Sequence, residues 1–515
     1  MSNPYLTTNQ VYEFLDLGYL KIQLQGSSYG RDFAARLFRR ARESYRNSDL
    51  EEQQRDRIQH IADTSIESIP EVKHLLSSEE LNGALTSLLG KSFYRYRHSF
   101  IHRADRFDQS FHKDSPLPWG TKGGIRSHKL EWAMVFYYPQ DTMLELGPTE
   151  ILPGTQYWNM DRLGTGNTHG EDRLSLDFDR EKVGFSPDLE LRDKHLATQW
   201  QTLDRFTPPK KIEVSAGSIV LVHFDLFHRA TRMSNDGERY MYKFWFTRTA
   251  EPEVAAKSTS VRYQVRDPRR KPIVDAIGSW MGMEKTAAPF GRETDHSADY
   301  SARVSEADRV CNAYLKAKSG DHRLLRDACS GIESIRRASV YALATQPNLA
   351  HKAIAQLLGS PDIHDRQCAA FLAGECCCIN GPMVKNVIEL VYDEESVVSR
   401  AAVVALGKIK RRQQNAISNE VHDKIVDSLL VAMTKGAALR QLAYLSLLCF
   451  ASSSDNPLRS EQIARIARVL KTESNLYALR TGNEVLERAR LSDSKHVVSR
   501  CTEQLESETS SRTFR

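Results

Sequence analysis

A histidine and an aspartate stand two residues apart, His112 and Asp114, within residues 110–115. In an extended strand the side chains alternate between the two faces, so these groups point to the same side. Two ligands make only part of a metal site, and the candidate for the third ligand is His228. Two neutral imidazoles and one carboxylate leave coordination positions open, an arrangement typical of non-haem Fe(II) oxygenases.

An arginine follows His228 by eleven residues, at Arg239. A planar guanidinium forms paired hydrogen bonds with a carboxylate. It is therefore suited to hold the far carboxylate of a 2-oxo acid whose other end chelates the iron. The order of residues indicates a metal centre next to a carboxylate-binding group.

Two glycine-containing segments lie between Asp114 and His228 and complete an order of motifs that can be compared with known families. They are residues 147–155, GPTEILPGT, and residues 216–223, AGSIVLVH. With the His-x-Asp motif, the distal histidine and the arginine, they resemble the phytanoyl-CoA dioxygenase family over roughly residues 8–250. The resemblance implies an Fe(II)- and 2-oxoglutarate-dependent oxygenase built on a double-stranded β-helix, a jelly roll of the cupin type.

The resemblance also implies roles for individual residues. His112, Asp114 and His228 become the catalytic metal ligands, with Fe(II) as the metal, and Arg239 becomes the residue that binds 2-oxoglutarate, with O2 as the other co-substrate. Related halogenases replace the carboxylate ligand by a small residue. Because Asp114 is present, hydroxylation is favoured over halogenation.

One position departs from the family pattern. Many family members place a serine two residues after the distal histidine, where it helps to hold the 2-oxoglutarate carboxylate. This chain has Ala230 there. Thr231 and Tyr242 are the candidate substitutes.

Two other His-x-acid pairs compete with the first, at residues 169–171 and 223–225. The earlier one lies in a glycine-, asparagine- and aspartate-rich run typical of a loop. A triad of the later pair with His228 is disfavoured, because His223 and His228 fall on opposite faces of a continuous strand. His223 is expected to pack behind the metal ligands.

Length and composition indicate two domains. A chain of 515 residues exceeds one ordinary core, and all eight cysteines follow residue 310. The net charge of +5 is the small remainder of 71 basic and 66 acidic residues, which argues against a nucleic-acid or membrane partner. No signal-peptide pattern is present, so a cytoplasmic location is expected. The expected division is an oxygenase domain at 1–250, a linker at 251–304 and a helical domain at 305–515.

Residue patterns predict the elements of the first domain. Residues 7–9 can cap a helix, and the apolar side chains of 11–17 follow at helical spacing. Residues 93–102 alternate polar and aromatic side chains, and residues 131–138 and 217–224 fit buried strands. In the family the strand before the metal motif lines the active site, so a polar group of 93–102 is expected to contact 2-oxoglutarate or substrate.

Four connecting segments carry predictions of their own. Residues 115–124 form a proline- and glycine-rich loop that fits either a lid or a plain connection. Residues 157–206 are a polar, irregular insertion assigned to substrate recognition. Residues 266–272 fit a solvated linker, and residues 272–283 fit a short helix that docks the two halves.

From about residue 305 the chain is rich in alanine and leucine and repeats loosely. Similar segments begin at arginines that recur roughly every 30 to 40 residues, namely Arg337, Arg366, Arg400, Arg440 and Arg480. Such units bury their apolar faces by stacking on one another. They resemble HEAT repeats, and the arginines are expected to form hydrogen bonds within the repeats.

The predicted fold is thus α+β and multidomain: an N-terminal double-stranded β-helix with flanking helices, followed by an all-α HEAT-like solenoid. The predicted function is oxidation, by hydroxylation, of an unactivated C–H bond in a small organic substrate, with release of succinate and CO2. Two alternatives stay open: a catalytically silent scaffold, and a hydroxylase of a protein partner recruited by the solenoid.

Overall fold

The computed structural model describes most of the chain. The described residues are 5–24, 27–46, 60–62, 66, 69–104, 108–109, 111–114, 125–158, 172–173, 186–201, 208–252, 262–287, 306–376, 379–412, 418–453 and 457–490. The predicted loop at 115–124 and most of the 157–206 insertion lie outside them. Within these ranges no helix combines the length and the hydropathy needed to cross a bilayer.

The N-terminal half is built on two antiparallel sheets. The strands are β1 (Tyr19–Gln23), β2 (His60–Ala62), β3 (Phe93–Arg103), β4 (His112–Lys113), β5 (Trp132–Tyr138), β6 (Thr149–Ile151), β7 (Asp172–Arg173), β8 (Lys210–Lys211), β9 (Ser218–His223), β10 (His228–Ala230) and β11 (Tyr240–Arg248). One sheet has the order β1-β9-β5-β11-β3-β2 and the other β7-β4-β10-β6-β8. Their inner faces meet where the Tyr138 hydroxyl donates to Thr149 Oγ1 at 3.0 Å. The prediction of a sheet-rich, jelly-roll-like N-terminal domain is confirmed.

Helices flank the first sheet. They are α1 (Thr8–Leu17), α2 (Arg31–Arg46), α3 (Pro70–Leu76) and α4 (Glu79–Leu89), and a further helix, α5 (Leu189–Gln201), follows in the insertion. Helix α2 packs against β11, where the Tyr242 hydroxyl donates to the Leu37 carbonyl at 2.8 Å. Strands β5 and β9 are buried along their whole length. Burial on both faces explains why these strands are continuously apolar and do not alternate.

Helix α1 begins and ends where local chemistry requires. The Thr7 hydroxyl accepts from the Gln10 backbone N–H at 3.3 Å, and the Gln10 side chain accepts from the Thr7 N–H at 2.9 Å. This reciprocal pair satisfies two of the free N–H groups at the helix start. Gly18 ends the helix at φ +79°, in the left-handed region that favours glycine. The predicted helix after the cap at residues 7–9 is confirmed.

Helix α5 corrects one prediction. The 157–206 insertion was expected to be irregular, yet its described part contains thirteen helical residues. Asp188 accepts a hydrogen bond from the Leu191 N–H at 3.0 Å and so caps the first turn. A mostly polar helix carries little apolar periodicity, which is why the pattern did not reveal it.

A β-bulge interrupts the pairing of β3 with β11. Lys243 lies opposite Phe100, but Trp245, two residues later, lies opposite Tyr96, four residues earlier. The additional residues in β3 re-aim its side chains locally. The bulge therefore decides which side chains of β3 stand next to Lys243 and Trp245.

The C-terminal half of the described chain is helical. Its helices are α6 (Lys271–Trp280), α7 (Glu306–Lys318), α8 (Arg323–Asp327), α9 (Glu333–Leu343), α10 (Pro347–Leu357), α11 (Ile363–Glu375), α12 (Gly381–Glu389), α13 (Ser396–Arg412), α14 (Asn419–Ala432), α15 (Ala437–Ala451), α16 (Ser460–Leu470) and α17 (Leu476–Arg490). The odd-numbered helices from α7 to α17 pack each against the next, and α10, α12, α14 and α16 pack beside them. All described cysteines are free thiols.

The recurring arginines have different partners. Arg337 pairs with Glu333 at 2.9 Å, one turn earlier in its own helix. Arg366 and Arg440 reach forward to acidic residues ahead of the next odd-numbered helix, Asp393 at 2.7 Å and Glu473 at 2.8 Å. All three therefore bind acidic residues of the helical half.

Arg480 departs from the prediction of hydrogen bonds within the repeats. Its Nη1 donates to the Arg97 carbonyl of β3 at 2.9 Å, so it binds the β-domain. The reason is the position of α17, which lies against β3. Sequence periodicity describes the helices among themselves and carries no information about a sheet beside them.

The segment after the β-domain is packed, which corrects the prediction of a solvated linker at 266–272. Arg270 is buried and donates from Nε to Asp16 of α1 at 2.9 Å. Asp16 is fully buried and needs a positive partner. The predicted docking helix is confirmed as α6, which buries Ile273 and Ile277 and contacts both α1 and α7.

A buried ion cluster joins the helical half to the β-domain. On α13, Arg411 pairs with Glu131 at 2.7 Å and Arg412 pairs with the same carboxylate at 3.4 Å. Lys408 of α13 forms an ion pair with Glu375. Glu131 directly precedes β5 and is buried. The charges of the two halves therefore depend on each other for their partners.

Candidate metal centre

The pairing of two short strands brings the predicted ligands together. β4 and β10 are antiparallel neighbours in which His112 lies opposite His228, with ring centroids 4.7 Å apart. Asp114 follows β4, and its carboxylate oxygens lie 3.8 Å from His112 Nε2 and 3.6 Å from His228 Nε2. One ligand atom from each residue lies within 4.8 Å of the others, and all three residues are buried. The donor set and spacing fit one bound cation.

The surroundings of His228 leave the lone pair of Nε2 available to bind a metal. Its Nδ1 lies 3.0 Å from the Leu226 carbonyl, which accepts the Nδ1 proton and leaves the lone pair on Nε2. Burial lowers the pKa of His228 to about 3, an effect that Asp114 only partly offsets. The imidazole is therefore neutral at physiological pH, the form in which histidine binds metals.

The residues between and behind the ligands hold the second sheet in place. Lys113 points away from the ligands, and its ammonium lies 4.8 Å from the centre of the Phe227 ring. Arg229, next to His228, pairs with Glu150 at 2.5 Å and with Asp108 at 2.9 Å. These buried pairs fix β10 against β6 on the face opposite to the ligands.

Lys243 is a component of the site that sequence reasoning missed. Its Nζ donates to the Asp114 carboxylate and lies 5.3 Å from the centre of the Phe136 ring. Burial acts to raise the pKa of Asp114, but Lys243 and the two histidines outweigh it and hold this pKa well below its usual range. Asp114 is thus a carboxylate before any metal binds.

Arg239 is buried, and two of its guanidinium nitrogens have no hydrogen-bond partner among the described residues. Its side chain is 2% exposed, and in the described structure Nε and Nη1 have no hydrogen-bond partner. Burial lowers its pKa, and the neighbouring Tyr138 and Tyr45 act in the opposite direction. A buried guanidinium without an anion is costly. This orphaned group fits an anionic ligand such as a carboxylate.

Residues 29–241, which include the three candidate ligands and Arg239, match the family model described as phytanoyl-CoA dioxygenase (PhyH). The chain carries a PhyH-family domain. The domain is that of an oxygenase that uses Fe(II), 2-oxoglutarate and O2, as the sequence resemblance implied. A search of curated proteins found no match.

Solved structures similar to the PhyH-family domain cover about half of this chain. The carbocyclase SnoK from nogalamycin biosynthesis is 18% identical, over 48% of this chain and 87% of its own, with a TM-score of 0.33. EctD from S. alaskensis, solved with 2-oxoglutarate and 5-hydroxyectoine, is 16% identical over 48% and 79%, with a TM-score of 0.34. HygX from Streptomyces hygroscopicus, with nickel and 2-oxoglutarate bound, is 17% identical over 51% and 98%, with a TM-score of 0.32. The family assignment rests on the sequence match.

The structure of the PhyH-family domain shows where the two candidate substitutes for the serine missing at Ala230 lie. The Thr231 hydroxyl donates to the Pro148 carbonyl at 2.6 Å. Tyr242 is excluded as a substitute, because its hydroxyl binds Leu37 on the outer face of the sheet. Tyr138 faces inward instead, close enough to Arg239 for the two groups to shift each other's pKa. Its hydroxyl and that of Thr149 are the polar groups near the arginine that the sequence did not single out.

His223 lies elsewhere than predicted. Its ring stacks on Phe14 of α1 at 6.1 Å, and its Nδ1 accepts from the Asp225 N–H at 3.1 Å. Asp225 in turn accepts from Arg126 at 2.5 Å. His223 therefore supports the packing of α1 and not the metal ligands. As expected, these residues do not join His228 in a triad: the one metal-compatible group in the described chain is His112, Asp114 and His228.

Proposed function

We propose that the PhyH-family domain hydroxylates an unactivated C–H bond of a small organic substrate, with conversion of 2-oxoglutarate to succinate and CO2. The observation that carries the proposal is a buried His-Asp-His cluster in a domain that also buries Arg239, whose Nε and Nη1 have no hydrogen-bond partner among the described residues. His112, Asp114 and His228 would hold Fe(II), which when bound supplies the oxidising chemistry. Arg239 would hold the C5 carboxylate of 2-oxoglutarate.

The chain's own residues prepare the site in separate ways. The Leu226 carbonyl keeps the Nδ1 proton on His228, so that Nε2 is available. Lys243 keeps Asp114 ionised and restrains the rotation of its carboxylate. Both effects keep the ligands in the forms that bind a metal, a neutral imidazole and an ionised carboxylate, before the metal arrives.

For the co-substrate, the proposal assigns Tyr138 and Thr149 to the role left open by Ala230. Their hydroxyls bond to each other at 3.0 Å on the inner face of the domain. Burial raises the pKa of Tyr138, partly offset by Arg239, so the phenol stays protonated and can donate. A protonated phenol and a guanidinium together suit a carboxylate.

For the helical half, the proposal is a HEAT-like solenoid that braces the oxygenase domain. The alternate packing of its helices supports a repeat array. The buried Arg411 and Glu131 pair supports a permanent brace, because neither charge would remain paired if the halves separated.

The test uses the full chain and requires no knowledge of the true substrate. Purified protein should bind about one Fe(II) per chain, as a single three-ligand site requires. In air it should then form succinate slowly from 2-oxoglutarate and O2 without an added substrate. His228→Ala should abolish both iron retention and succinate formation.

The matched control is His223→Ala, which removes another buried histidine of lowered pKa outside the cluster. It should lose stability and keep the iron. Undiminished iron binding by His228→Ala, or equal loss in both variants at equal folded fraction, would contradict the ligand assignment.

A further inference from the structure

Aromatic side chains line the inner face of the first sheet beside the candidate metal centre. Trp245 of β11 stacks on Tyr96 of β3 with ring planes 9° apart and centroids at 6.2 Å. His98 lies 4.5 Å from Trp245 and 4.1 Å from Phe100. The ammonium of Lys243 lies 5.8 Å from the centre of the Trp245 ring. Since Lys243 also binds Asp114, this aromatic wall begins next to the metal ligands.

The helical half adds a ring to the same wall. Tyr477, in the first turn of α17, stacks on Tyr96 with planes 18° apart and centroids at 5.9 Å. Its hydroxyl lies 2.6 Å from His98 Nδ1, within hydrogen-bond distance. A residue nearly four hundred positions from β3 in sequence thus completes a surface of the oxygenase domain.

The wall is not a closed core. His98, Phe100 and Tyr477 keep part of their surface accessible, although Trp245 is only 3% exposed. The indole N–H of Trp245 is buried and has no hydrogen-bond partner in the described structure. Buried indole N–H groups usually have an acceptor. Accessible rings around an unpaired donor point to a ligand.

Tyr477 is not needed to attach α17 to the sheet. Arg480 donates to the Arg97 carbonyl and Arg488 to the Phe93 carbonyl, each at 2.9 Å. These bonds anchor the helix along β3 independently of the Tyr477 ring. The Tyr477 ring is therefore not the sole attachment of α17 to β3.

We infer that the aromatic wall is a substrate subsite for a planar ring compound, and that Tyr477 of the helical half is one of its specificity-determining residues. The inference rests on the proposed function and names the substrate class. Contact with the accessible rings of His98, Phe100 and Tyr477 selects flat rings, because aromatic pairs attract each other in offset-stacked and edge-to-face arrangements. The Trp245 N–H adds a requirement for a hydrogen-bond acceptor on the ring system.

The experiment measures ligand binding to the full chain loaded with Fe(II) and 2-oxoglutarate under anaerobic conditions. The probes are 2-naphthol and its saturated counterpart decahydro-2-naphthol, titrated calorimetrically. The wild type should bind the aromatic probe about tenfold more tightly than the saturated one, which corresponds to about 1.4 kcal/mol. Tyr477→Ala should remove most of this preference, and Tyr477→Phe should retain it.

The matched control is Thr481→Val, one turn further along α17, where the hydroxyl lies 3.4 Å from that of Tyr94. It should leave the preference within twofold of the wild-type value, and all variants should bind Fe(II) and 2-oxoglutarate as the wild type does. Equal binding of the two probes by wild type, or an unchanged preference in folded Tyr477→Ala, overturns the inference alone. Failure of the wild type to bind Fe(II) and 2-oxoglutarate overturns the proposed function and this inference with it.

Discussion

Lys243 donates a hydrogen bond to the carboxylate of Asp114, so the anionic group of the candidate metal centre already faces a buried cation. The two residues come from different sheets, β11 in one and the end of β4 in the other. Their contact closes the space between the sheets at the level of the metal ligands. Without a metal, Lys243 supplies the positive charge that the buried carboxylate requires.

Lys243→Met should therefore destabilise mainly the metal-free protein. Leaving Asp114 buried without its partner should lower the free energy of unfolding by about 3–5 kcal/mol. Bound metal replaces the missing charge, so the stabilisation by added Mn(II), a redox-stable stand-in for Fe(II), should exceed that of the wild type. Urea unfolding with and without Mn(II) gives both values. Lys113→Met is the control, since it should lower stability equally in both conditions; the same pattern for Lys243→Met would refute the pairing argument.

Arg239→Met should separate ligand binding from stability. A charge-assisted contact with a carboxylate contributes on the order of 2–5 kcal/mol, so the variant should bind 2-oxoglutarate about 30-fold to several thousand-fold more weakly. Arg239→Lys keeps the charge without the planar fork and should fall in between. Because Nε and Nη1 have no hydrogen-bond partner in the described part of the chain, the melting temperature without 2-oxoglutarate should not fall. A lower melting temperature with unchanged affinity of the folded fraction would identify a merely structural arginine.

Tyr138→Phe and Tyr242→Phe form a matched pair on opposite faces of the first sheet. Loss of the inward hydroxyl of Tyr138 should weaken 2-oxoglutarate binding about tenfold, the effect of one hydrogen bond to a charged group. Loss of the outward hydroxyl of Tyr242, which binds Leu37, should cost about 1 kcal/mol of stability and leave the affinity unchanged. Calorimetric titration and thermal melts distinguish the two. The assignment of Tyr138 fails if both variants bind 2-oxoglutarate like the wild type.

The ion cluster between the two halves should make the free energy of unfolding depend on pH in the acidic range. Burial acts to raise the pKa of Glu131, but Arg411 and Lys408 outweigh it and lower this pKa to about 2 from 4.5. A lowered pKa in the folded state means that the contribution is complete above pH 4.5 and is lost as the pH falls towards 2. The free energy of unfolding should decline over this window, and Glu131→Gln should decline less steeply. Parallel declines in urea titrations from pH 5 to pH 3 would count against the cluster.

The sequence predicted what depends on near neighbours along the chain. His112 and Asp114 share a strand face because they are two residues apart, and a cap at residues 7–9 followed by helical spacing predicts α1. Arg239 followed from its distance to His228. In each case the physical cause acts over a few residues, and the family order supplied the rest.

Lys243 and Tyr477 could not be predicted in the same way. The neighbours of Lys243 depend on a bulge in β3, which no local pattern announces. Tyr477 contacts His98 only because α17 packs against β3. Arg270 appeared solvated for a related reason, since its partner Asp16 precedes it by 254 residues. Such contacts are decided by tertiary packing.

The pairing of β1 with β9 has a consequence for synthesis of the chain on the ribosome. Tyr19 of β1 lies opposite Val222 of β9, so the first strand has no edge to join until its partner has been translated. At about 5–20 residues per second, roughly 200 residues take about 10–40 s. During this interval β1 emerges without its partner strand, so we expect the nascent chain to depend on chaperones that hold exposed segments near the exit tunnel.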